Sequence, residues 1–490
     1  MDIVDCALGS LEYMPARRAL GNGDLVMNHR KSNWRRAVLA VVASVLIVAL
    51  SLLGVLRARS PAEADVSSTA PAPVSVQRDT LRAGPGAIGQ GGGPGDPATA
   101  QPAATNTMQP ATGTAQPAPN NDASQPIKET RGVWVTRFDG LKTPADVQTL
   151  VDNAAYAHIN VIYFQVRGQA DAMYTPGLEP WSASLSSTLG QDPGWDPLAV
   201  LIQDAHAKGI EVHAWINTYT VWQGSTPPPA SANPKPMYVD FNEQYGQNWV
   251  MWDQNGPMQL GGPDGYLWAN PAFPAVQDHI VAVCKDLLTR YQLDGLHMDY
   301  IRYAGAQYSQ DPVSNQEYAA AHAANPNLTR ADWQRDQVTT LVQRIRDEAL
   351  PARPGAVLTT TAWPVYKDQW GWYNGKDGYN ALYQDSEGWT NQNLVSAINP
   401  MLYGPTVHDH MDRFQTLVQD YVSGSRPGSV VVGIGGDYSS FSDISARIDV
   451  ARQAGASGEA FFSYQALNQN NYWSDLRNGP YQQPAVPSWR

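Results

Sequence analysis

The chain has 490 residues, with 45 acidic and 33 basic side chains and a formal net charge of −12 at pH 7. This acidic balance disfavours nucleic acid as a partner, because phosphate binding requires a basic face. Every tryptophan except Trp34 lies within residues 129–490, so that part is expected to build the hydrophobic core. The length and composition do not predict an oligomeric state.

Residues 1–36 form a basic tail, and an uncharged apolar run, AVLAVVASVLIVALSLLGVL, follows over residues 37–56. A transmembrane helix needs about 20 such residues. Most of the nearby basic residues precede the run, which predicts a cytoplasmic N-terminus, a single-pass membrane anchor and an exported remainder. The alternative is a signal peptide cleaved near Ala62-Glu63-Ala64, which would give a secreted protein. With an anchor, Cys6 and Cys284 lie on opposite sides of the membrane and do not pair.

Residues 57–128 are dominated by Pro, Ala, Gly, Thr, Ser and Gln and have no hydrophobic period. Such a segment does not bury enough apolar surface to fold, so it is predicted to be a disordered linker. Its Gly-rich stretch, GQGGGPGD, favours flexibility, and its Pro-rich stretches favour extension. The segment is therefore interpreted as a tether for the domain formed by residues 129–490.

Short runs of β-branched and aromatic residues alternate with helical patterns after residue 129. The predicted strands cover residues 132–137, 160–167, 210–217, 295–301, 357–363, 397–403, 430–437 and 459–464. Thr143-Pro144 and Asp196-Pro197 each have the form of an N-cap followed by a first-turn proline. Eight strands alternating with helices predict a (β/α)8 TIM barrel. An open doubly wound sheet is the alternative, but the chain has no Gly-rich phosphate loop to favour it.

Three long segments follow predicted strands, at residues 218–268, 303–330 and 364–393. In a barrel, loops that follow strands lie at the C-terminal face, where catalysis takes place. Side chains alternate along a strand, so His297 and Asp299 are expected to face the interior, with Asp299 at the C-terminal end. Asp294 lies at the other end and is interpreted as a structural residue.

The same alternation brings polar and aromatic groups from other strands to the C-terminal end. These groups are Gln165, Arg167, His213, Trp215, Asn217, Trp363, Asn399, Met401, Tyr403 and Asp437. A core that is merely packed does not require this convergence, so it predicts a functional site. Carboxylates surrounded by aromatic rings suit glycoside hydrolysis, which uses two carboxyl groups and apolar faces for the sugar rings.

Five ordered motifs resemble those of glycoside-hydrolase-like family 10. They are RGVWVTRFDG, INVIYFQVRGQADAMYTPGLEPWS, IEVHAWINTY, LDGLHMDYIRYA and INPMLYG, within residues 130–470. The resemblance implies a TIM-barrel hydrolase of bacterial envelope or surface glycans, some members acting on peptidoglycan strands. DG-x-x-x-D is also similar to the fourth strand of the α-amylase superfamily, which implies a nucleophile role for Asp299, with His297 in place of an arginine. Many members have two adjacent acids where this chain has Asp299-Tyr300.

A second catalytic carboxyl group is required, and the family motif implies Asp171 as the first choice. Asp437, at the end of the seventh predicted strand, is the second choice. Glu179, Asp368 and Glu387 lie on loops at the expected face, where an acid is more often only solvated. Asp299 itself has an alternative interpretation as a buried structural acid paired with Arg302 or Arg167.

The remaining candidates are expected to bind substrate, and each also has a structural interpretation. One interpretation is a substrate-binding surface, the substrate shelf, formed by His213, Trp215 and Asn217. The alternative is that His213 is a core histidine below the site. Arg167 orients Asp299 or binds a substrate carboxylate, or it forms a structural ion pair. His297 is expected to bond a sugar hydroxyl. The other candidates for substrate binding are Arg302, Tyr303, Trp363 and Tyr403.

His408-Asp409-His410 suggests a metal site, but adjacent residues rarely converge on one ion, so a surface loop is favoured. No metal and no other cofactor is expected, and GxSxG is absent from the sequence. The leading hypothesis is an exported, membrane-tethered glycoside hydrolase that cleaves a bacterial envelope or extracellular polysaccharide. The alternative is a non-catalytic glycan-binding barrel that attaches the membrane to the cell wall.

Overall fold

The computed structural model describes residues 126–490. The predicted tail, the anchor at residues 37–56 and nearly all of the linker lie outside the described residues. Within residues 126–490, no helix is both long and apolar enough to cross a membrane. Ile127–Lys128, which fell in the predicted linker, instead pairs in parallel with Ala485–Val486, so ordered structure begins slightly earlier than predicted.

Eight parallel strands form the central sheet and follow one another around it in chain order. They are β1 Thr130–Val135, β2 Val161–Arg167, β3 Glu211–Asn217, β4 Gly295–Asp299, β5 Val357–Ala362, β6 Ala397–Pro400, β7 Val431–Gly435 and β8 Gly458–Phe462. Bridges from Ile398 to Val430 and from Met401 to Gly433 join β6 to β7. They close the sheet, so the architecture is the expected (β/α)8 barrel rather than an open sheet.

Helices connect the barrel strands. They are α1 Pro144–Tyr156, α2 Pro197–His206, α3 Pro274–Arg290, α4 Arg330–Arg344, α5 Ser386–Asn391, α6 Met411–Gly424, α7 Phe441–Ala454 and, after β8, α8 Trp473–Asn478. A π-helical turn, Ile345–Ala349, and a 3-10 turn, Leu350–Ala352, extend α4. Further helices are Ala183–Ser186, Met237–Tyr245, Pro263–Gly265, Pro312–Ala324 and Tyr464–Asn470.

Both predicted helix starts are confirmed. Thr143 caps α1 in a reciprocal capping box with Asp146, and Pro144 is the first helical residue. The Asp196 side chain accepts a hydrogen bond from the Ala199 nitrogen at the start of α2. These caps satisfy backbone N–H groups that have no partner within the helix.

The long loop after β3 is organised by two short antiparallel pairs. Thr220–Gln223 pairs with Tyr266–Trp268, and Trp252–Asp253 pairs with Gly256–Pro257. The segment after β4 contains Pro312–Ala324, so it is partly helical. Both segments follow strands, as predicted, and therefore lie at the C-terminal face of the barrel.

Aromatic side chains fill the barrel interior below the C-terminal end. Trp134, Tyr163 and Trp215 are buried in one apolar cluster, and Trp489 from the chain terminus packs against it. The Trp489 ring centroid lies 5.4 Å from that of His213, and Trp489 Nε1 donates to Glu211 at the start of β3. The interior is therefore a packed core, and its N-terminal end is covered by Trp489.

We expect Gly458→Ala to destabilise the barrel by on the order of 3 kcal/mol or more. Gly458 has φ +147°, and an added Cβ would lie 2.6 Å from the Thr130 nitrogen and closer still to the Thr130 carbonyl oxygen. The free energy of unfolding in urea measures the loss. Gly455→Ala is the matched control, because Gly455 has φ +85° but nothing within 4 Å of an added Cβ. An equal loss in both variants would contradict the steric explanation.

Candidate active site

Asp299 is the last residue of β4 and is 5 % exposed. Its Oδ1 accepts hydrogen bonds from the Tyr300 nitrogen and from Thr361 Oγ1, both at 2.6 Å. Arg302 Nη1 lies 3.4 Å from the same oxygen. Among residues 126–490, no hydrogen bond ends on Asp299 Oδ2. The carboxylate is therefore oriented through one oxygen, and the other is left for a ligand.

Arg302 is held in place by aromatic rings as well as by Asp299. Its guanidinium carbon lies 4.5 Å from the ring centroid of Tyr300, 5.3 Å from that of Trp363 and 5.9 Å from that of Trp268. Tyr300 has φ +50°, a backbone conformation that is uncommon for a residue with a side chain. This conformation ends β4 earlier than predicted and directs the chain away from the sheet immediately after Asp299.

Asn217 and Gln165 lie beside Asp299 but already have partners. Asn217 on β3 is in register with Asp299. Its Oδ1 accepts from Gln165 Nε2 at 3.2 Å, and its Nδ2 donates to the Gly168 carbonyl at 3.1 Å. Gln165 Oε1 accepts a hydrogen bond from the backbone nitrogen of Arg137 at 3.0 Å. These amides connect the ends of β1, β2 and β3, and they position the site without offering a substrate contact.

His297 and His213 lie in successive interior levels below Asp299, so neither reaches the mouth of the barrel. His297 Nε2 accepts from Trp134 Nε1 at 3.0 Å, and His297 Nδ1 lies 2.9 Å from Thr359 Oγ1. Burial, together with nearby His213, lowers the pKa of His297 well below its usual value, so the imidazole is neutral. The expected bond from His297 to a sugar hydroxyl is wrong, because both ring nitrogens are already engaged within the core.

The predicted substrate shelf is also wrong for His213 and Trp215. His213 is fully buried in register with Gly295, and its Nε2 lies 3.3 Å from Glu211 near the covered end of the barrel. Trp215 is in register with His297, one level below Asp299, and is 4 % exposed. The alternative, a core histidine below the site, describes His213.

Arg167 forms a structural ion pair, and its partner is Glu179. Its Nε lies 3.0 and 2.9 Å from the two carboxylate oxygens of Glu179, and its Nη1 donates to backbone carbonyls after β3. His279 Nε2 lies 2.9 Å from Glu179 Oε1. Burial favours neutral Glu179, but Arg167 and His279 lower its pKa below the usual range. Arg167 therefore pairs with Glu179 and not with Asp299.

Asp171, the first choice for the second acid, is fully buried. Its Oδ1 accepts from the backbone nitrogens of Gly168 and Gln169, and its Oδ2 accepts from Ser182 Oγ at 2.6 Å. Arg137 Nη1 lies 3.7 Å from Oδ1. A carboxylate enclosed in this way organises its loop and has no oxygen with which to reach a leaving group, so the structure does not support an acid role for Asp171.

The two other candidate acids do not lie at the barrel mouth in a form suited to catalysis: Asp368 organises its own loop, and Glu387 belongs to a helix rather than to a loop. Asp368 accepts hydrogen bonds at 3.0 Å from the backbone nitrogens of Trp372, Tyr373 and Gly375. Glu387 lies at the start of α5 and faces Gly424 at the end of α6. Burial and nearby Asp420 raise the pKa of Glu387 to about 8, although it lies between helices and not at the barrel mouth.

Asp437, the second choice, lies just beyond β7 and is exposed. A Cβ added at Gly435 would lie 2.6 Å from Asp437 Oδ1 and 3.5 Å from Tyr403 Cβ, so the carboxylate folds back over the strand end towards β6. His408 Nε2 lies 3.9 Å from Asp437 Oδ1, and His408 Nδ1 lies 2.7 Å from Asp409. Within residues 126–490, no group of three or more His, Cys, Asp or Glu side chains has an arrangement suited to a metal ion.

The predicted stacking residues have different surroundings. Tyr403 is half-buried and stacks on Phe462, with ring centroids 5.0 Å apart and planes 6° apart, at the ends of β6 and β8. Trp363 is 6 % exposed and packs against Arg302. Tyr303 is fully buried against Tyr383, so a sugar-stacking role for Tyr303 is wrong.

The segment immediately after β1 contributes three residues that were not selected from the sequence. Arg137 is 4 % exposed, and its Nη2 donates to Tyr266 Oη at 3.1 Å. Phe138 is 60 % exposed at the barrel mouth. Burial raises the pKa of Asp139 to about 6, although Thr136 donates to its carboxylate. The sequence signal that could have identified them as site residues is their position at the end of a predicted strand, within the motif RGVWVTRFDG.

Residues 129–446 match the family described as glycosyl hydrolase-like 10. The chain belongs to this family. Its motif resemblance is thereby confirmed, and the match covers seven of the eight barrel strands. The family supports a glycoside hydrolase-like fold, which is consistent with a carboxylate at a strand end.

Two relatives and one solved structure illustrate the similarity. Glycosyl hydrolase DigH of Escherichia coli (strain K12) is 26 % identical over 325 residues, 61 % of this chain and 70 % of DigH. Glycosyl hydrolase YngK of Bacillus subtilis (strain 168) is 26 % identical over 303 residues, 57 % of this chain and 55 % of YngK. The PgaB (BpsB) glycoside hydrolase domain of Bordetella bronchiseptica superimposes with a TM-score of 0.51 at 15 % identity, covering 71 % of this chain and 98 % of that domain. This last similarity concerns the fold alone.

We expect Arg167→Met to destabilise the barrel by about 3 kcal/mol at pH 7, because Glu179 would remain buried without its main partner. The lowered pKa of Glu179 stabilises the folded state above the usual carboxyl pKa, and this contribution is lost as pH falls. The difference in the free energy of unfolding between the variant and the parent chain should therefore shrink as the pH falls towards about 4. Urea unfolding at several pH values measures it.

Arg346→Met is the control for this prediction, because Arg346 forms a surface ion pair with Asp347. An exposed pair contributes at most about 1 kcal/mol. A pH-independent loss in Arg167→Met would show that packing, and not the charge of Glu179, explains the effect.

Proposed function

We propose that the protein is a glycoside hydrolase in which Asp299 is the nucleophile or the catalytic base. The observation that carries this proposal is the one-sided bonding of Asp299. Oδ1 is held by Tyr300, Thr361 and Arg302, while no hydrogen bond within residues 126–490 ends on Oδ2. A carboxylate oriented in this way at a barrel mouth is suited to attack an anomeric carbon or to deprotonate water.

Asp437 is proposed as the proton donor to the leaving oxygen. It is exposed over the end of β7, whereas Asp171 and Glu179 are enclosed in structural networks. The proton moves from the Asp437 carboxyl group to the glycosidic oxygen as the bond to the anomeric carbon breaks. Asp299 attacks that carbon directly or accepts a proton from the attacking water.

A polysaccharide of the bacterial envelope or exterior is the proposed substrate. Tyr403 and Phe462 form a half-exposed aromatic pair at the mouth, and Phe138 presents a further exposed ring. Apolar faces of this kind suit the C–H faces of sugar rings. The basic tail and the apolar run at residues 37–56 support export with a membrane anchor, and the chain's family supports a glycan as the substrate class.

We expect Asp299→Asn to lower the rate of reducing-end release by at least about 10³-fold, because an amide neither attacks nor accepts a proton. The full chain would be assayed on peptide-free peptidoglycan strands and on bacterial exopolysaccharides. Asp294→Asn is the matched control, since Asp294 precedes the same strand at its other end and bonds to the Val212 nitrogen. It should keep the parent rate.

Glycan binding by Asp299→Asn distinguishes a glycoside hydrolase from a non-catalytic glycan-binding barrel. A parent chain that binds a glycan but releases no reducing ends, with the same affinity in the variant, would instead support the non-catalytic barrel. Turnover that is unchanged in Asp299→Asn would contradict its assignment.

Asp437→Asn should lower turnover of the natural glycan by about 10²- to 10⁴-fold, as expected for a lost general acid. The loss should be far smaller with a dinitrophenyl glycoside, because that leaving group departs without a proton. Comparing kcat on both substrates measures the effect, with Asp449→Asn, an exposed acid on α7, as the control. If Asp139→Asn gave this substrate dependence and Asp437→Asn did not, the proton donor would be Asp139.

A further inference from the structure

The loop after β5 carries two tryptophans separated by a single glycine. Trp370 and Trp372 are both half-buried, and their ring centroids lie 5.0 Å apart with planes at 17°. Gly371 between them has φ +71°, a conformation that glycine adopts without steric cost. This backbone turn brings the two indoles face to face rather than to opposite sides of the chain.

The loop that carries the pair is rigidly organised. Asp368 accepts three backbone hydrogen bonds, including those from the Trp372 and Tyr373 nitrogens at 3.0 Å. Asp377 in turn accepts from the Asp368 nitrogen at 3.1 Å and from the Asn380 nitrogen at 2.6 Å. The two carboxylates thus fix the backbone on both sides of the tryptophans, so a ligand would meet a preorganised surface.

The two indoles have different surroundings. The guanidinium carbon of Arg413, on α6, lies 5.2 Å from the ring centroid of Trp372. Within the part of the chain that the structure describes, Trp370 has Trp372 as its only ring partner and faces no cation. No hydrogen bond from its Nε1 is formed there either. Trp372 is therefore the supporting ring, and Trp370 retains apolar surface and a donor for a ligand.

The pair is linked to the candidate catalytic centre through Trp363. Trp363 immediately follows β5, and its ring centroid lies 5.3 Å from the Arg302 guanidinium carbon. Its Nε1 donates to the Lys376 carbonyl at 2.9 Å. Lys376 belongs to the same loop as the tryptophans, and its Nζ lies 5.1 Å from the Trp363 ring. Trp363 therefore joins the surroundings of Asp299 to the loop that carries Trp370.

We propose that Trp370, supported by Trp372, forms a distal sugar-binding subsite for a polysaccharide chain that extends from Asp299 across the loop after β5. The indole face would pack against the C–H face of a sugar ring, and Nε1 would donate to a hydroxyl at its edge. The proposal rests on the proposed function, since it places a remote unit of the same glycan. It implies that the protein prefers long chains to short oligosaccharides.

The test compares glycan binding by the full chain carrying Asp299→Asn with that of the double variant Asp299→Asn/Trp370→Ala. Affinity electrophoresis would use gels containing peptide-free peptidoglycan strands or a bacterial exopolysaccharide. We expect Trp370→Ala to weaken binding of the polymer about five- to tenfold, the effect of losing one aromatic stacking contact. Binding of short oligosaccharides, measured by calorimetry, should fall much less. Trp370→Tyr should restore most of the polymer affinity.

Tyr156→Ala is the matched control, because Tyr156 is 49 % exposed at the end of α1, away from the C-terminal face. It should leave polymer binding unchanged. Thermal unfolding of each variant checks that the loop substitution has not unfolded the domain, and Trp372→Ala should reproduce the loss by removing the support of Trp370. Equal affinity losses for polymer and oligosaccharide would overturn the proposal, as would unchanged polymer binding or no glycan binding by the parent chain.

Binding is measured without turnover, so failure of the catalytic role of Asp299 can be distinguished from failure of the Trp370 subsite. Turnover by Asp299→Asn would overturn the catalytic assignment and leave the length-dependent effect of Trp370→Ala intact. Loss of the effect of Trp370→Ala, with turnover still dependent on Asp299, would overturn only the subsite.

Discussion

Closure of eight parallel strands into a barrel is the constraint on which the rest of the molecule depends. Closure directs alternate side chains of each strand into a narrow interior, where every polar group needs a partner. Within that interior, Trp134 donates a hydrogen bond to His297, and the Tyr163 ring packs against the His297 ring. Trp489 covers the N-terminal end. Only the uppermost level, which contains Asp299, meets the loops, so chemistry is confined to that end.

Buried ion pairs at the mouth have two kinds of geometry. Glu179 engages Arg167 through both carboxylate oxygens and also contacts His279, so the pair is complete without a ligand. Asp171 is likewise enclosed, by backbone nitrogens and Ser182. Breaking such networks costs stability because a charge is left unpaired. Asp299 differs, since its partners converge on a single oxygen, and this difference separates a candidate catalytic group from its scaffold.

The long loops supply the surroundings of Asp299 and extend them outwards. Arg302 is surrounded by Trp268 from the loop after β3, Tyr300 after β4 and Trp363 after β5. Because these rings exclude water from the guanidinium, the ion pair with Asp299 is less screened than a surface pair. Trp363 also donates to the Lys376 carbonyl, so the loop that carries Trp370 and Trp372 is joined to the surroundings of Asp299.

The sequence by itself determined the barrel, the helix starts at Thr143 and Asp196, and the position of Asp299, because these depend on local periodicity and on alternation along a strand. It also placed His297 and His213 in the interior, but alternation does not distinguish one level of the barrel from another. Only the tertiary structure decided that both histidines lie below the site, that Arg167 pairs with Glu179, and that Asp171 is enclosed. Those outcomes depend on the register between strands and on contacts between residues distant in the chain, which no local pattern encodes.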